Sequence, residues 1–267
     1  PDADDLDEHT MRAIAVEFNL SETSFVLAPT EASADFRIRS FTPTGDEVFG
    51  VGHNALGVWW WLAETGQLGE RTSFVQQLGD ELLPVSIGRE NGRVTVSLSQ
   101  AMPRRIGDVG DLQALAEALG LDKTEPALGP QEAVVVSTGA AHMLVRLVSR
   151  DEVDRAEPDA SMLLPLLEHA GAQGCYVFTT SGEQRGEAYA RFFNPTVGIR
   201  EDPATGSAAG PLGWLLANRS GAGGQETFTV VQGVSMGRES HIRLLVRPDA
   251  VELTGSAVLT ATGQLHL

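Results

Sequence analysis

One cysteine, Cys175, stands in 267 residues, so no internal disulfide can form and no thiolate cluster exists for zinc or an iron–sulfur centre. No metal is implied, and the reducing cytoplasm is the expected setting. Basic residues are also scarce. Nineteen Lys and Arg against 36 Asp and Glu leave a formal charge of −17. That balance argues against nucleic acid, whose binding rests on cations that neutralise phosphates. The longest apolar run, 55–63, is interrupted by Gly57 and followed by Glu64, far short of the roughly 18 residues a membrane span needs. The sequence opens at Pro1 without a basic n-region or an apolar h-region, so nothing resembles a signal peptide, and it reads as able to begin partway through a longer chain. A soluble protein with neither membrane nor nucleic-acid partner is expected.

What the sequence does have is a phrase written twice. "GHNALGVWWWLA" (52–63) and "GSAAGPLGWLLA" (206–217) align without gaps, sharing Ala55/Ala209, Trp60/Trp214, Leu62/Leu216 and Ala63/Ala217, and each follows a Phe-x-Pro-Thr segment. The chain is long enough for one large domain or two of about half its length, and the repeat favours two.

Around the repeat the pattern is α+β. Asp7 is placed to cap a helix whose apolar positions Met11, Ile14, Ala15 and Phe18 form one stripe ending near Asn19. "TSFVLAP" and "DFRIRSF" read as strands, as do 74–77, 82–88 and 93–98, with a glycine turn at 90–92 closing a hairpin. Residues 103–110 read as a loop before an Asp111-capped helix with Leu112, Leu115, Ala116 and Leu119 on one side, and the domain boundary falls there: 1–104 and 105–267. Strands near 133–137, 142–147, 175–180 and 188–193, a helix near 162–170 and three or four closing antiparallel strands make up the second half.

Each copy of the phrase reads as strand, glycine-containing loop and helix. A glycine at that joint lets backbone N–H groups approach a ligand while the helix offers its positive end. Two such ends facing across a cleft can hold a small carboxylate without a basic side chain. The plainer reading is a duplicated packing element. Against it stand polar residues for which packing has no use: His53 at the first helix start, Glu201, Asp202, Thr205 and Ser207 around the second, and Glu22 in "NLSET" between a helix and a strand. His53 can equally be a polar helix-start residue, and Thr205 and Ser207 can cap. His142 is read as structural and Cys175 as packing. The three tryptophans 59–61 span most of a helical turn, so at least one ring points away from its own core.

"MRAIAVEFNLSETSFVL", "FTPTGDEVFGVGHNALG" and "REDPATGSAAGPLGWLL", in that order, resemble the PhzF-like isomerase family of phenazine biosynthesis, and "QGVSMGRES" matches a later family segment. The resemblance spans nearly the whole chain. It implies the fold of diaminopimelate epimerase: two pseudo-symmetric domains, each a mixed, largely antiparallel sheet or barrel around a central helix, with the site in the cleft between them and the last strand packed on the first domain. By this resemblance Glu22 is the catalytic carboxylate, His53, Asp202 and Ser207 complete the catalytic set, and Gly52, Asn54, Thr205 and Gly206 contact substrate. A homodimer and no cofactor are likewise implied. The family's usual opening strand and "GNP" turn before "DADDL" do not occur here, and Val51 stands where Cys or Ala is usual.

Epimerases of this fold use two thiols on opposite faces of a carbon. His53 and Ser207 occupy those positions here, and one cysteine cannot supply two thiols. With Glu22 as the one strong candidate base, same-face removal and return of a proton, an isomerisation, is the natural chemistry. The type substrate of the family is trans-2,3-dihydro-3-hydroxyanthranilate. The competing expectation is a binding or interaction protein of the same fold whose chemistry has lapsed.

Overall fold

The computed structural model describes residues 3–49, 52–121, 133–180, 184–221 and 223–266, so Val51 lies outside it. The first half runs α1 (Glu8–Phe18), β1 (Thr23–Leu27), β2 (Phe36–Phe41), β3 (Glu47–Val48), α2 (His53–Glu64), β4 (Ser73–Leu78), β5 (Glu81–Glu90) and β6 (Arg93–Gln100). Then come β7 (Arg104–Asp108), α3 (Leu112–Ala118), β8 (Ala133–Ser137), β9 (Ala141–Arg146), α4 (Arg150–Arg155) and α5 (Ala160–Ala170). The chain continues through β10 (Gly174–Thr179), β11 (Glu187–Asn194), β12 (Ile199–Asp202), α6 (Gly206–Ser220), β13 (Glu226–Gln232), β14 (Ser240–Arg247) and β15 (Ala250–Gly255).

The internal repeat is also a repeat of topology. β1 pairs antiparallel with β2, β3 folds back on β2, and β4 returns parallel to β2 after α2. In the same way β10 pairs antiparallel with β11, β12 folds back on β11, and β13 returns parallel to β11 after α6. Both units finish in antiparallel strands, β4-β5-β6 and β13-β14-β15. The last strands of the two units then pair with each other, Leu253 opposite Leu98. One continuous mixed sheet results, in the order β1-β2-β4-β5-β6-β15-β14-β13-β11-β10-β9-β8-β7.

The two central helices share a core. Ala55, Trp59 and Leu62 of α2 and Ala208, Ala209 and Leu212 of α6 belong to one buried cluster with Val96, Leu98, Leu244 and Leu253. A second cluster packs α3, α4 and α5 on the other face of β8–β11, with Cys175 inside it. Burial pushes the Cys175 thiol up to about 12, so it is an inert packing group. Trp59 is fully buried, edge-on to Phe36 at 5.6 Å, and its Nε1–H donates to Gln76 Oε1 at 2.9 Å. Trp60 and Trp61 are half-buried against the same cluster.

Local signals account for most of these elements. The Asp7 carboxylate accepts from the Thr10 N–H at 2.8 Å and starts α1, and Asn19 ends it in the left-handed region. Asn91 and Gly92 both take positive φ in the β5–β6 turn, the pairing a two-residue hairpin prefers. Two expectations are corrected. Phe18 is 45% exposed, because the last turn of α1 runs past the β1–β2 face that buries Met11, Ile14 and Ala15. Residues 104–108 form an edge strand on β8 rather than a loop. Its exposed Arg104, Arg105 and Ile106 and a bulge before Gly107 erase the two-residue alternation by which a strand is recognised. No helix among the described residues is long and apolar enough to cross a membrane.

Replacing Trp59 by Phe keeps most of the apolar bulk but leaves the buried Gln76 oxygen without its donor. The expected cost is about 1–3 kcal/mol, read as a lower urea midpoint at unchanged slope. An unaltered midpoint would remove this bond from the account of the core.

Candidate active site

The repeated topology brings α2 and α6 together end to end. A β-carbon built on Gly206 would lie 3.2 Å from Gly52 Cα and 3.0 Å from the Leu253 side chain, so a larger residue would crowd the place where the two helix starts meet unless one of these groups shifted. Neither start carries a side-chain cap: Gly52 and Thr205, the N-cap residues, make no capping hydrogen bond. Both positive helix ends therefore border one cavity of about 600 Å³ at the junction of the two units.

All eight residues to which the family resemblance gives a catalytic or substrate-contact role line this cavity: Glu22, Gly52, His53, Asn54, Asp202, Thr205, Gly206 and Ser207. Glu22 lies between α1 and β1, while His53 is the first residue of α2. They meet as an ion pair, His53 Nε2 to Glu22 Oε2 at 2.6 Å, without the alignment of a good hydrogen bond. Burial by itself would lower the His53 imidazolium. The Glu22 carboxylate outweighs it, Asp202 and the Ala204 backbone add to the effect, and the group is pushed up to about 9.

Asp202 ends β12, and its neighbour in sequence points the other way. Glu201 accepts a two-pronged pair of hydrogen bonds from Arg191, Nε to Oε1 and Nη2 to Oε2 at 2.9 Å each, and so leaves the cavity to Asp202. Thr205 donates its hydroxyl to Asp202 Oδ2. Gln232 locks the bend: its Nε2 donates to the Asp202 carbonyl at 2.6 Å and to Thr205 Oγ1 at 2.9 Å, while its Oε1 accepts from the Thr205 N–H and the Tyr176 hydroxyl. Burial raises the Asp202 carboxyl above the usual carboxylate range and the Glu22 charge adds to this, against the pull of His53 and Thr205.

Ser207, in the first turn of α6, is 3.1 Å from His142 Nε2. His142 was read from the sequence as structural, but it lines the cavity and its Nδ1 has no partner. No arginine or lysine lines the cavity, so among the described residues its cationic character comes from His53 and the two helix ends. No group of three or more His, Cys, Asp or Glu among the described residues is arranged to hold a metal ion.

The family comparison settles the ancestry. Residues 1–263 match the family described as phenazine biosynthesis-like protein, PhzC-PhzF. The chain belongs to the PhzF-like family. It is 34% identical to the trans-2,3-dihydro-3-hydroxyanthranilate isomerase of Pseudomonas aeruginosa over 100% of this chain and 91% of that protein. The crystal structure of a Bacillus anthracis phenazine biosynthesis protein of the PhzF family superposes with a TM-score of 0.84 at 28% identity, covering 96% of this chain and 88% of that one. A probable proline racemase from Agrobacterium radiobacter shares the fold at a TM-score of 0.68 and 15% identity, covering 98% of this chain and 82% of that one. PhzF-like and racemase chains are thus built on one mixed α+β frame, as the family resemblance implied.

His53 gains its raised value on folding, so the stability it contributes is complete below about 6.5 and disappears as pH climbs through about 9. In a proton NMR titration of the ligand-free protein, the His53 ring should move with a midpoint near 9. In Glu22→Gln the midpoint should fall towards the ordinary histidine range, because only Asp202 and the Ala204 backbone then oppose burial. A midpoint indifferent to Glu22 would contradict the pairing.

Proposed function

We propose that this PhzF-like chain is a cofactor-independent isomerase that moves a proton within a small conjugated carboxylate, similar to trans-2,3-dihydro-3-hydroxyanthranilate. The observation carrying the reading is the meeting of Glu22 and His53, 2.6 Å apart, beside two uncapped helix starts in one cavity.

The substrate carboxylate sits at the helix starts, where the backbone N–H groups of the first turns and the aligned peptide dipoles favour negative charge. Held there, it presents its ring to Glu22. The Glu22 carboxylate takes a proton from an activated carbon, the electrons spread through the conjugated system, and the resulting Glu22 carboxylic acid returns the proton to another carbon on the same face. Nothing is gained or lost overall, so neither metal nor redox group enters the balance.

In this reading His53, held as an imidazolium, donates to the substrate oxygen or nitrogen on which negative charge builds, and Asp202 on β12 steadies that charge. Ser207 adds a hydroxyl donor, and Gly52, Asn54, Thr205 and Gly206 shape the carboxylate end. The division into 1–104 and 105–267, a homodimer and a cytoplasmic location belong to the same reading.

Glu22→Gln should abolish incorporation of solvent deuterium into trans-2,3-dihydro-3-hydroxyanthranilate or its analogues while leaving binding within about tenfold, a general-base loss of about 10²–10⁴ or more in rate. Mass spectrometry of the recovered compound reads this directly. Exchange that survives the substitution would transfer the base role elsewhere, and binding without any exchange in the unaltered protein would favour the lapsed, ligand-binding alternative.

A further inference from the structure

His142 is 3% exposed, yet it is not a satisfied core histidine. Its Nε2 contacts Ser207 Oγ at 3.1 Å, its Nδ1 is buried with no partner, and its ring stands edge-on to Phe192 at 5.1 Å and 90°. Burial brings the imidazole down to about 4, so it is neutral and carries one N–H. Where that hydrogen sits decides what Ser207 offers to the cavity.

If the hydrogen were on Nδ1, a buried donor would go unanswered, the kind of orphan folded proteins most rarely leave. Nε2 would then accept the serine O–H, and Ser207 would turn its lone pairs towards the positive end of its own helix. With the hydrogen on Nε2, the ring donates to Ser207 Oγ and only a lone pair is left unanswered at Nδ1. The serine O–H is then free to point into the cavity alongside the backbone N–H groups of the two helix starts. The arrangement of donors is consistent only in this second form.

We propose that His142 is a positioning residue: by donating from Nε2–H to Ser207 Oγ, it turns the Ser207 hydroxyl into a fixed donor for the anionic oxygen of a carboxylate bound between the two helix starts. This rests on the carboxylate reading of the cavity given above. Phe192 holds the ring on edge, so its orientation comes from packing and persists without a ligand.

The orientation can be tested in the ligand-free, full chain by ¹H–¹⁵N multiple-bond NMR of the histidine rings at neutral pH, with His142 assigned by its loss in His142→Gln. The expected pattern is the Nε2–H tautomer, with the Nε2 resonance displaced by Ser207→Ala. An Nδ1–H tautomer, an imidazolium, or a signal indifferent to Ser207→Ala would overturn the proposal. A second arm uses anthranilate as the probe in calorimetric titrations. Ser207→Ala and His142→Leu should each weaken binding about tenfold, the double variant should lose no more than either, and His142→Gln, whose amide donates from nearly the same place, should return to within about threefold of the parent. Additive losses, or unimpaired binding in His142→Leu, would reduce His142 to a packing role. If the parent binds no anthranilate, the carboxylate reading fails, and the tautomer pattern by itself then decides the His142 inference.

Discussion

Two helix starts that nearly touch are the constraint from which the rest of this molecule follows. Each carries the equivalent of roughly half a positive charge, and here they are separated only by the backbones of Gly52 and Gly206, with Leu253 packed against the junction. Like poles in contact repel unless something negative lies beside them. Glu22 and Asp202 supply that charge from opposite units of the fold, one ahead of β1 and the other at the end of β12. The same carboxylates that make the junction tolerable are the groups proposed for the chemistry and for its support. Structural and catalytic demands are met by one arrangement.

This arrangement also resolves an electrostatic tension. With a formal charge of −17 the protein repels small anions at long range. The carboxylate recognition proposed above must then come from groups that act over a few ångströms, in a cavity where solvent screening is weak. In that proposal backbone N–H groups, one imidazolium and a hydroxyl do this without an arginine in the wall. They are directional, so they favour a planar anion placed at the junction over a diffuse cloud of counterions.

Much of this was legible in the sequence, for physical reasons that differ from place to place. The doubled phrase could be read because glycine at a crowded joint and a tryptophan at the same helical position admit few substitutes. The Asp7 cap, the Asn91-Gly92 turn and the buried faces of α1 and α2 are local, written within a few residues of where they act. What escaped was non-local or poorly patterned. β7 is an edge strand with little of its surface covered, so its residues show no alternation. His142 looked like a core residue because its partner, Ser207, lies on another element far along the chain. Glu201 looked like a second cleft acid, but Arg191 on the neighbouring strand holds it away from the cavity. Sequence spacing placed Glu22, His53, Asp202 and Ser207 in their segments only by resemblance to a family. That they converge on one cavity is a consequence of the sheet's register.

The pairing of β15 with β6 has a bearing on how the molecule comes into being. Val251 meets Gln100 across that seam, a closure of long contact order that cannot occur until the chain has been made through β15. Leu253 on the same strand braces Gly206, so the corner where the two helix starts meet is completed only with that closure. A chain lacking β15 would lose the Leu253 side chain that packs against Gly206 at the junction of the two helix starts. Under the binding reading proposed above, ligand affinity would report whether the β6–β15 seam has closed as well as the chemistry of the cavity.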